Sequence, residues 1–310
     1  LKEAEGIGYP VIIKAALGGG GKGMRVANTP EEFPEAYATA RKESEIAFGD
    51  GTMYIEHFVV NPRHIEFQIL ADSFGNVIHL GERDCSIQRN HQKMIEESPS
   101  AAVSSELREK MGHAAVTAAK AAGYVNAGTI EFLLEPDGKF WFMEMNTRIQ
   151  VEHPVTEWVT GIDLVKEQLK IASGMPLEIS QEDVRIQGHA IECRINAENP
   201  QKNFRPSPGT IQGAHFPGGN GIRVDTCVYN GCKIPPYYDS MLAKLIVHAG
   251  NRKEAIAKMQ SALGEVIIDG IDTNIDYQYE ILKDEDYQSG NFDTGFLASH
   301  IIAGVKINEN

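Results

Sequence analysis

A run of glycines between two short strand-like segments constrains the fold more than any other feature of this 310-residue sequence. Residues 18–23 read Gly-Gly-Gly-Gly-Lys-Gly and lie between the apolar residues 11–16 and a second strand pattern at 24–27. A Rossmann loop leads from a strand into a helix, and a P-loop ends in Gly-Lys-Ser or Gly-Lys-Thr, so neither fits. The run predicts a hairpin flap whose backbone N–H groups, with Lys14 and Lys22, approach phosphates. The alternative is a surface turn without a ligand.

The charge and composition exclude several classes of protein. The chain has 29 basic and 43 acidic residues, which give a formal net charge of −14, and 42% of its residues are hydrophobic. Nucleic-acid and anionic-membrane binders need a basic surface, and no apolar stretch reaches the roughly 18 to 20 residues of a membrane span. The four cysteines lack the spacing of a zinc site. We therefore expect a cytoplasmic protein with reduced thiols that binds neither nucleic acid nor membranes.

Two helix signals lie near the start of the chain. Residues 1–5 read as the end of a helix, so the sequence is expected to begin partway through a larger protein. Farther along, Thr29 is followed by Pro30 and, three residues after the threonine, by Glu32. This capping pattern predicts a helix that begins at Thr29 and runs to about Ile46.

Two polar segments follow. In residues 63–69, His64, Glu66 and Gln68 alternate with apolar residues, which predicts a strand with one core face and one solvated or functional face. This segment taken alone favours a solvated face. Residues 82–93 carry many hydrogen-bonding side chains without helical or strand periodicity. We therefore expect a loop there, which either binds a ligand or is exposed.

A predicted hairpin brings two glutamates together. The sequence Glu-Pro-Asp-Gly at 135–138 is a tight-turn signal, and it sets Glu131 and Glu144 on adjacent antiparallel strands in opposed or diagonal positions. Asn146 lies on the same face as Glu144. Oxygen ligands at this spacing suit Mg²⁺ held against phosphates. The alternative is ion pairs with lysines, but both glutamates lie in apolar runs, where an unpaired carboxylate is costly.

A possible reaction centre follows directly. Residues 146–154 place a base, Glu152, and an anion-binding cation, Arg148, in one short loop. No nucleophile system of the Ser-His-Asp or Cys-His kind is evident. The chemistry is therefore expected to be electrostatic positioning of phosphate with acid–base help.

The sequence contains, in this order, a strand with Lys14, the glycine flap, and the hairpin that carries Glu131 and Glu144. This order resembles that of the ATP-grasp superfamily. The strings Arg-Asp-Cys-Ser-Ile-Gln-Arg-Asn-His-Gln-Lys at 83–93, Glu-Met-Asn-Thr-Arg-Ile-Gln-Val-Glu-His-Pro at 144–154 and Tyr-Tyr-Asp-Ser-Met at 237–241 are similar to those of biotin carboxylase. The resemblance implies an α+β chain. Its parts would be an ATP-grasp flap subdomain at 1–58, an ATP-grasp antiparallel-sheet body at 59–184 and a biotin carboxylase C-terminal domain at 185–310.

The resemblance also implies roles for individual residues. Those that would bind ATP are Lys14, Gly19, Gly20, Gly21, Met24, Glu56, His64, Gln88, His91 and Leu133. Those that would hold Mg²⁺ or Mn²⁺ are Glu131, Glu144 and Asn146. Bicarbonate would be bound by Lys93, Arg148, Gln150 and Val151. The catalytic residues would be Lys93, Arg148, Glu152 as the base that deprotonates bicarbonate, and Arg194, which would stabilise the enolate form of biotin.

The implied reaction carboxylates biotin on biotin carboxyl carrier protein, using ATP and bicarbonate through carboxyphosphate. This is the first half-reaction of acetyl-CoA carboxylase in fatty acid synthesis, which implies carboxyltransferase subunits as further partners and a homodimeric full-length parent. The family's N-terminal Rossmann-like domain is not in this sequence, so weak nucleotide binding and poor turnover are expected. Two alternatives remain at this point: another ATP-grasp carboxylate ligase, and a non-catalytic nucleotide-binding fragment.

Overall fold

The computed structural model describes residues 1–17 and 23–307. Gly19, Gly20, Gly21 and Lys22, which the sequence assigns to phosphate binding, lie outside the described residues. The chain divides into two compact units, Leu1–Val60 and Asn61–Asn310.

The first unit is a three-stranded antiparallel sheet with two helices. Its elements are α1 (Lys2–Ile7), β1 (Val11–Ala15), β2 (Met24–Ala27), α2 (Phe33–Phe48) and β3 (Met53–His57). The strand order is β2-β1-β3. Val11, Ile13 and Ala27 pack against Phe33 and Ala40 of α2, because alternate residues of β1 point to one side of the sheet. The two predicted strands are therefore present on either side of the glycine run, and they pair with each other.

Helix α2 begins later than the sequence predicts. The expected start at Thr29 is wrong, since the helix begins at Phe33 with Pro34 in its first turn. A helix from Thr29 would place Pro34 beyond the first turn, where it lacks an N–H for the ladder and clashes with the preceding turn. The Asn28 backbone N–H instead donates to Glu32 Oε2, at 2.8 Å.

The second unit contains a large antiparallel sheet. Its elements up to residue 196 are β4 (Arg63–Ala71), β5 (Val77–Arg89), β6 (Gln92–Ser98), α3 (Ser105–Ala121), β7 (Asn126–Leu134), β8 (Phe140–Asn146), α4 (His153–Thr160), α5 (Leu164–Ala172) and β9 (His189–Asn196). The later elements are β10 (Glu198–Asn199), β11 (Arg205–Pro206), β12 (Gly209–Thr210), β13 (Gly213–His215), β14 (Ile222–Thr226), β15 (Lys233–Ile234), β16 (Met241–Ala249), α6 (Arg252–Glu265), β17 (Ile267–Asp269), α7 (Ile275–Ile281), α8 (Glu285–Ser289), α9 (Phe296–Ser299), β18 (Ile301–Ile302) and β19 (Val305–Lys306).

Eight of these strands form one sheet in the order β14-β16-β9-β6-β5-β4-β7-β8. Every neighbouring pair is antiparallel, and the sheet runs without a break from strands before residue 184 into strands after it. Helix α3 covers β4 and β5, while α6 covers β9 and β16. The expected α+β class with an antiparallel body is confirmed. Among the described residues, no helix combines the length and apolar character that crossing a membrane requires.

The polar segment at 82–93 is a hairpin, so the predicted loop is wrong. It forms the second half of β5, a turn at Asn90 and His91, and the start of β6. Both turn residues have positive φ, 49° and 61°, as a two-residue hairpin turn requires. Polar and apolar residues do not alternate along this part of β5, because the strand is buried on both faces and its polar side chains pair with other polar groups.

Gly188, just before β9, provides a test of close backbone packing. Its φ is +69°, and an added Cβ would lie 2.3 Å from the carbonyl oxygen of Ala249. We expect Gly188→Ala to lower the free energy of unfolding by about 1–3 kcal/mol more than Gly174→Ala in urea titrations. Gly174 has φ +85° with nothing near its Cβ position, so its variant carries only the backbone strain. Equal losses in the two variants would contradict this packing.

Candidate active site

Three glutamates lie side by side across three strands of the large sheet. Glu66 of β4 is the register partner of Glu131 of β7, which is in turn the partner of Glu144 of β8. The predicted opposition of Glu131 and Glu144 is therefore confirmed. Glu66 and Glu131 are buried, whereas Glu144 is exposed because β8 is the last strand of the sheet. The expected solvated face of β4 is wrong, since His64, Glu66 and Gln68 are all buried.

The side chains of Glu131 on β7 and of Glu144 and Asn146 on β8 fit a hard divalent cation. The amide nitrogen of Asn146 lies 3.0 Å from Glu131 Oε1 and 3.1 Å from Glu144 Oε1, so the two carboxylates converge on one point. Rotating that amide by half a turn would present three oxygens there. Magnesium and manganese both accept such oxygen ligands.

Lys93 connects the carboxylates to the predicted base. Its ammonium group donates to Glu131 Oε1 at 3.0 Å and to Glu152 Oε1 at 2.6 Å, and it also pairs with Glu66. Burial opposes the charge of Lys93, but Glu66 and the other carboxylates outweigh burial and raise its pKa above the ordinary value. Lys93 is therefore a fixed cation in the middle of three anions.

Arg83 is a fully buried centre of hydrogen bonds that sequence reasoning missed. Its guanidinium pairs with Glu66. It also donates to side-chain oxygens of four residues at 2.7–3.2 Å, namely Gln68, Thr129, Gln150 and Thr156. Burial opposes ionisation of Glu66, but Arg83 and Lys93 outweigh it and lower its pKa to about 2. The available signal was that Arg83 closely follows the apolar-alternating residues 77–80, which begin β5, but the pattern at 82–93 predicts a loop there.

Glu152 lies between two cations at the start of helix α4. The helix begins at His153, with Pro154 in its first turn, where proline's fixed φ is favourable. The other oxygen of the Glu152 carboxylate accepts from Arg194 Nη2 at 2.9 Å. The carbonyl oxygen of Val151, the residue before Glu152, accepts from Lys244 Nζ at 2.8 Å. The Glu152 carboxylate, the predicted base, is thus oriented from both sides before any ligand binds.

The remaining loop residues surround the same cluster. Gln150 is buried, and its Nε2 donates to Glu131 Oε1 at 2.8 Å. Arg148 is exposed, and its guanidinium donates to Asn146 Oδ1 and to the carbonyl oxygen of Ile149, both at 3.3 Å. The structure therefore brings Lys93, Glu152 and the two loop residues to one place.

Residues assigned to nucleotide binding lie in both units. In the second unit, His64 Nε2 lies 3.1 Å from Glu131 Oε2, and His64 is the register partner of Leu133. Gln88 is the register partner of Lys93, and His91 lies in the turn of the same hairpin. In the first unit, the Lys14 ammonium pairs with Glu56 on the adjacent strand, and Met24 is the register partner of Lys14.

Comparison with known families gives two matches along the chain. The family described as "Carbamoyl-phosphate synthase L chain, ATP binding domain" matches residues 1–180, and "Biotin carboxylase C-terminal domain" matches residues 192–299. Biotin carboxylase 1 of Bacillus subtilis is 58% identical over 302 residues, which cover 97% of this chain and 67% of that protein. The chain belongs to the biotin carboxylase family.

Solved biotin carboxylase structures agree with the fold. The biotin carboxylase domain of 2-oxoglutarate carboxylase from Hydrogenobacter thermophilus, a dimer in complex with MgADP, ADP and bicarbonate, is 52% identical with a TM-score of 0.87. Biotin carboxylase from Campylobacter jejuni, described as a β,γ-ATP complex, is 51% identical with a TM-score of 0.88. Each match covers 96% of this chain and 65–66% of the solved chain. The chain spans about two thirds of the length of these biotin carboxylase relatives.

Proposed function

We propose that this chain carries the catalytic site for ATP- and bicarbonate-dependent carboxylation of biotin. The observation that carries the proposal is the position of Glu152, whose carboxylate accepts from Lys93 at 2.6 Å and from Arg194 at 2.9 Å beside a glutamate hairpin suited to a divalent cation. A base held between two cations suits an anionic substrate, because the cations offset the charge that the substrate brings.

Each residue of the cluster has a proposed role. Bicarbonate is bound by Lys93, Arg148, Gln150 and the Val151 backbone. Glu152 removes the proton of bicarbonate as a bicarbonate oxygen attacks the γ-phosphorus of ATP. The products of that attack are carboxyphosphate and ADP. Carboxyphosphate then breaks down to CO₂ and phosphate, and the phosphate takes the N1′ proton of biotin. Arg194 stabilises the resulting enolate by donating to its oxygen, and the enolate is carboxylated by the CO₂.

Glu131, Glu144 and Asn146 are the proposed ligands of Mg²⁺ or Mn²⁺. When bound, the cation neutralises charge on the ATP phosphates. The proposed ATP contacts are Lys14, Gly19, Gly20, Gly21, Met24, Glu56, His64, Gln88, His91 and Leu133. Lys14 pairs with Glu56 across two strands, so a phosphate would compete with a carboxylate for this lysine.

We also propose how the chain is divided into functional parts, which proteins it binds and where it is located. We divide the chain functionally at 1–58, 59–184 and 185–310. The partners are biotin carboxyl carrier protein and carboxyltransferase subunits, within a parent that forms homodimers. The Hydrogenobacter relative, described as a dimer, supports the last point. A cytoplasmic location is supported by the four cysteines, which are all free thiols. Turnover by this chain alone is proposed to be poor.

Phosphate release from MgATP tests the proposal. We expect release that requires bicarbonate and increases when free biotin is added. Release that requires neither would favour a different ATP-grasp ligase. ATP binding by calorimetry without any release, in the chain and in longer versions, would favour a nucleotide-binding module.

Glu131→Gln tests the proposed cation site. We expect this variant to bind Mn²⁺ at least about 10- to 100-fold more weakly in the presence of ATP, because it removes one anionic ligand from a converging pair. The measurement is a titration followed by electron paramagnetic resonance. Glu106→Gln, on the exposed surface of α3, is the matched control and leaves Mn²⁺ binding unchanged. Unaltered Mn²⁺ affinity in Glu131→Gln would remove Glu131 from the site.

A further inference from the structure

Two buried glutamates lie opposite each other behind Arg194. Glu96 of β6 and Glu192 of β9 are register partners, and each has 0% of its surface exposed. Directly opposed residues on antiparallel strands have Cβ atoms about 4.5–5.5 Å apart. Two buried carboxylates at this spacing repel each other strongly when both are ionised.

The hydrogen bonds of the pair are incomplete. Glu96 Oε1 accepts from Arg194 Nε at 2.6 Å. Within the described part of the chain, Glu96 Oε2 and both oxygens of Glu192 have no hydrogen-bond partner. A proton on Glu192 would supply a donor for the second oxygen of Glu96, since a protonated carboxyl group both donates and accepts.

The surrounding charges do not provide a separate cation for Glu192. The charged and titratable groups that interact with the pair are Arg194 and Cys193 on β9, Lys244 on β16, Lys93 on β6, Cys85 on β5, and Glu152 just before α4. The two nearest cations are already engaged. Arg194 pairs with Glu96 and Glu152, and Lys244 Nζ contacts Val151 O at 2.8 Å and Asp225 Oδ2 at 3.3 Å.

The electrostatics agree with this geometry. Burial, which Arg194 only partly offsets, raises the pKa of Glu96 to about 7. Burial and the nearby Glu96 raise the pKa of Glu192 well above its ordinary value. Neighbouring Glu97 differs, because His189 and Arg252 bind it and lower its pKa despite burial.

We propose that Glu96 and Glu192 hold one proton between them at neutral pH and act together as the positioning residues for Arg194. Glu96 is the anion that accepts from the guanidinium, and Glu192 is the acid that donates to Glu96. The guanidinium is thereby fixed between Glu96 and Glu152. The shared proton is a property of the folded chain and does not depend on the proposed function. Only the effect of the pair on catalysis, through Arg194, rests on the proposed function.

Infrared spectroscopy of the chain in heavy water tests the shared proton directly. At neutral pH we expect a carbonyl stretch from a protonated carboxyl group in the wild type. The band weakens in Glu192→Gln, because the remaining Glu96 is paired with Arg194 and is only partly protonated. It persists in Glu96→Gln, because Glu192 alone stays protonated. Glu97→Gln is the matched control and leaves the band unchanged. No band in the wild type, or a band of undiminished intensity in Glu192→Gln, would overturn the shared proton.

Nuclear magnetic resonance of the Arg194 Nε–H group tests the positioning role. Its exchange with solvent should be about 5- to 10-fold faster in Glu96→Gln, because a neutral acceptor replaces an anion. In Glu192→Gln the rate stays within about 2-fold, because the glutamine amide still donates to Glu96. Equal rates in all three proteins would overturn the positioning role. If the infrared band is present and biotin is not carboxylated, the proposed function fails and the shared proton stands.

Discussion

Replacing Glu152 with glutamine is expected to lower bicarbonate-dependent phosphate release by about 10²- to 10⁴-fold, which is the usual contribution of a general base. The amide has nearly the shape of the carboxylate but accepts no proton from bicarbonate. Lys93 and Arg194 each lose one anionic partner, but both keep others, Glu131 and Glu96 respectively. The fold and ATP binding should therefore be preserved. The measurement is the rate of phosphate release with saturating MgATP and bicarbonate.

Glu157→Gln is the matched control for this prediction. Glu157 lies one turn further along the same helix, where its carboxylate accepts from Arg223 Nη1 at 2.7 Å and from the Leu164 backbone N–H at 2.8 Å. Its loss should change the rate by less than about 3-fold, because it has no proposed contact with a substrate. A rate for Glu152→Gln close to that of Glu157→Gln would contradict the assignment of the base.

Replacing Arg83 with methionine is expected to lower the free energy of unfolding by about 3–5 kcal/mol, the usual cost of breaking a buried ion pair. The substitution leaves Glu66 buried beside fewer positive charges and removes donors from four other side chains. The pKa of Glu66 is lower in the folded state than in the unfolded state, so its ionisation stabilises the fold at pH values above the unfolded-state pKa. This stabilisation is lost as the pH falls toward about 2. Urea titrations at neutral pH measure the loss.

Two further variants make the Arg83 prediction specific. Adding Glu66→Gln to Arg83→Met should recover part of the lost stability, because the uncompensated charge is removed. Lys110→Met breaks the exposed pair with Glu106 on α3 and should cost less than Arg83→Met. A loss for Arg83→Met no larger than that for Lys110→Met would contradict the central role of Arg83 in the buried network.

Some of this arrangement is predictable from local sequence. The Glu-Pro-Asp-Gly turn fixes the register of β7 and β8, so the opposition of Glu131 and Glu144 follows from the turn itself. Asp163 caps α5 and accepts from the Lys166 backbone N–H at 2.8 Å, a role that aspartate commonly has just before a helix. The strands that flank the glycine run were likewise recognisable from short apolar patterns.

The buried polar network was not predictable in the same way. Periodicity identifies a strand when one face is apolar, whereas β5 is buried on both faces and uses Arg83 to satisfy polar groups on three other elements. Those partners are far apart in sequence, and only the folded sheet brings them together. Glu192 did carry a local signal, a charged residue between Ile191 and Cys193, which is similar to the signal that identified Glu131. Glu96 carried no such signal, because Glu97 and Ser98 follow it.

Transfer of labelled bicarbonate to free biotin tests the central claim most directly. The chain should be measured alone and fused to the part of the Bacillus subtilis relative that it does not cover, each with and without ATP. We predict ATP-dependent formation of labelled carboxybiotin that is much faster in the fused protein and is lost in both forms on Glu152→Gln. Carboxybiotin absent from both proteins, while each binds ATP, would contradict the assignment of this site to biotin carboxylation.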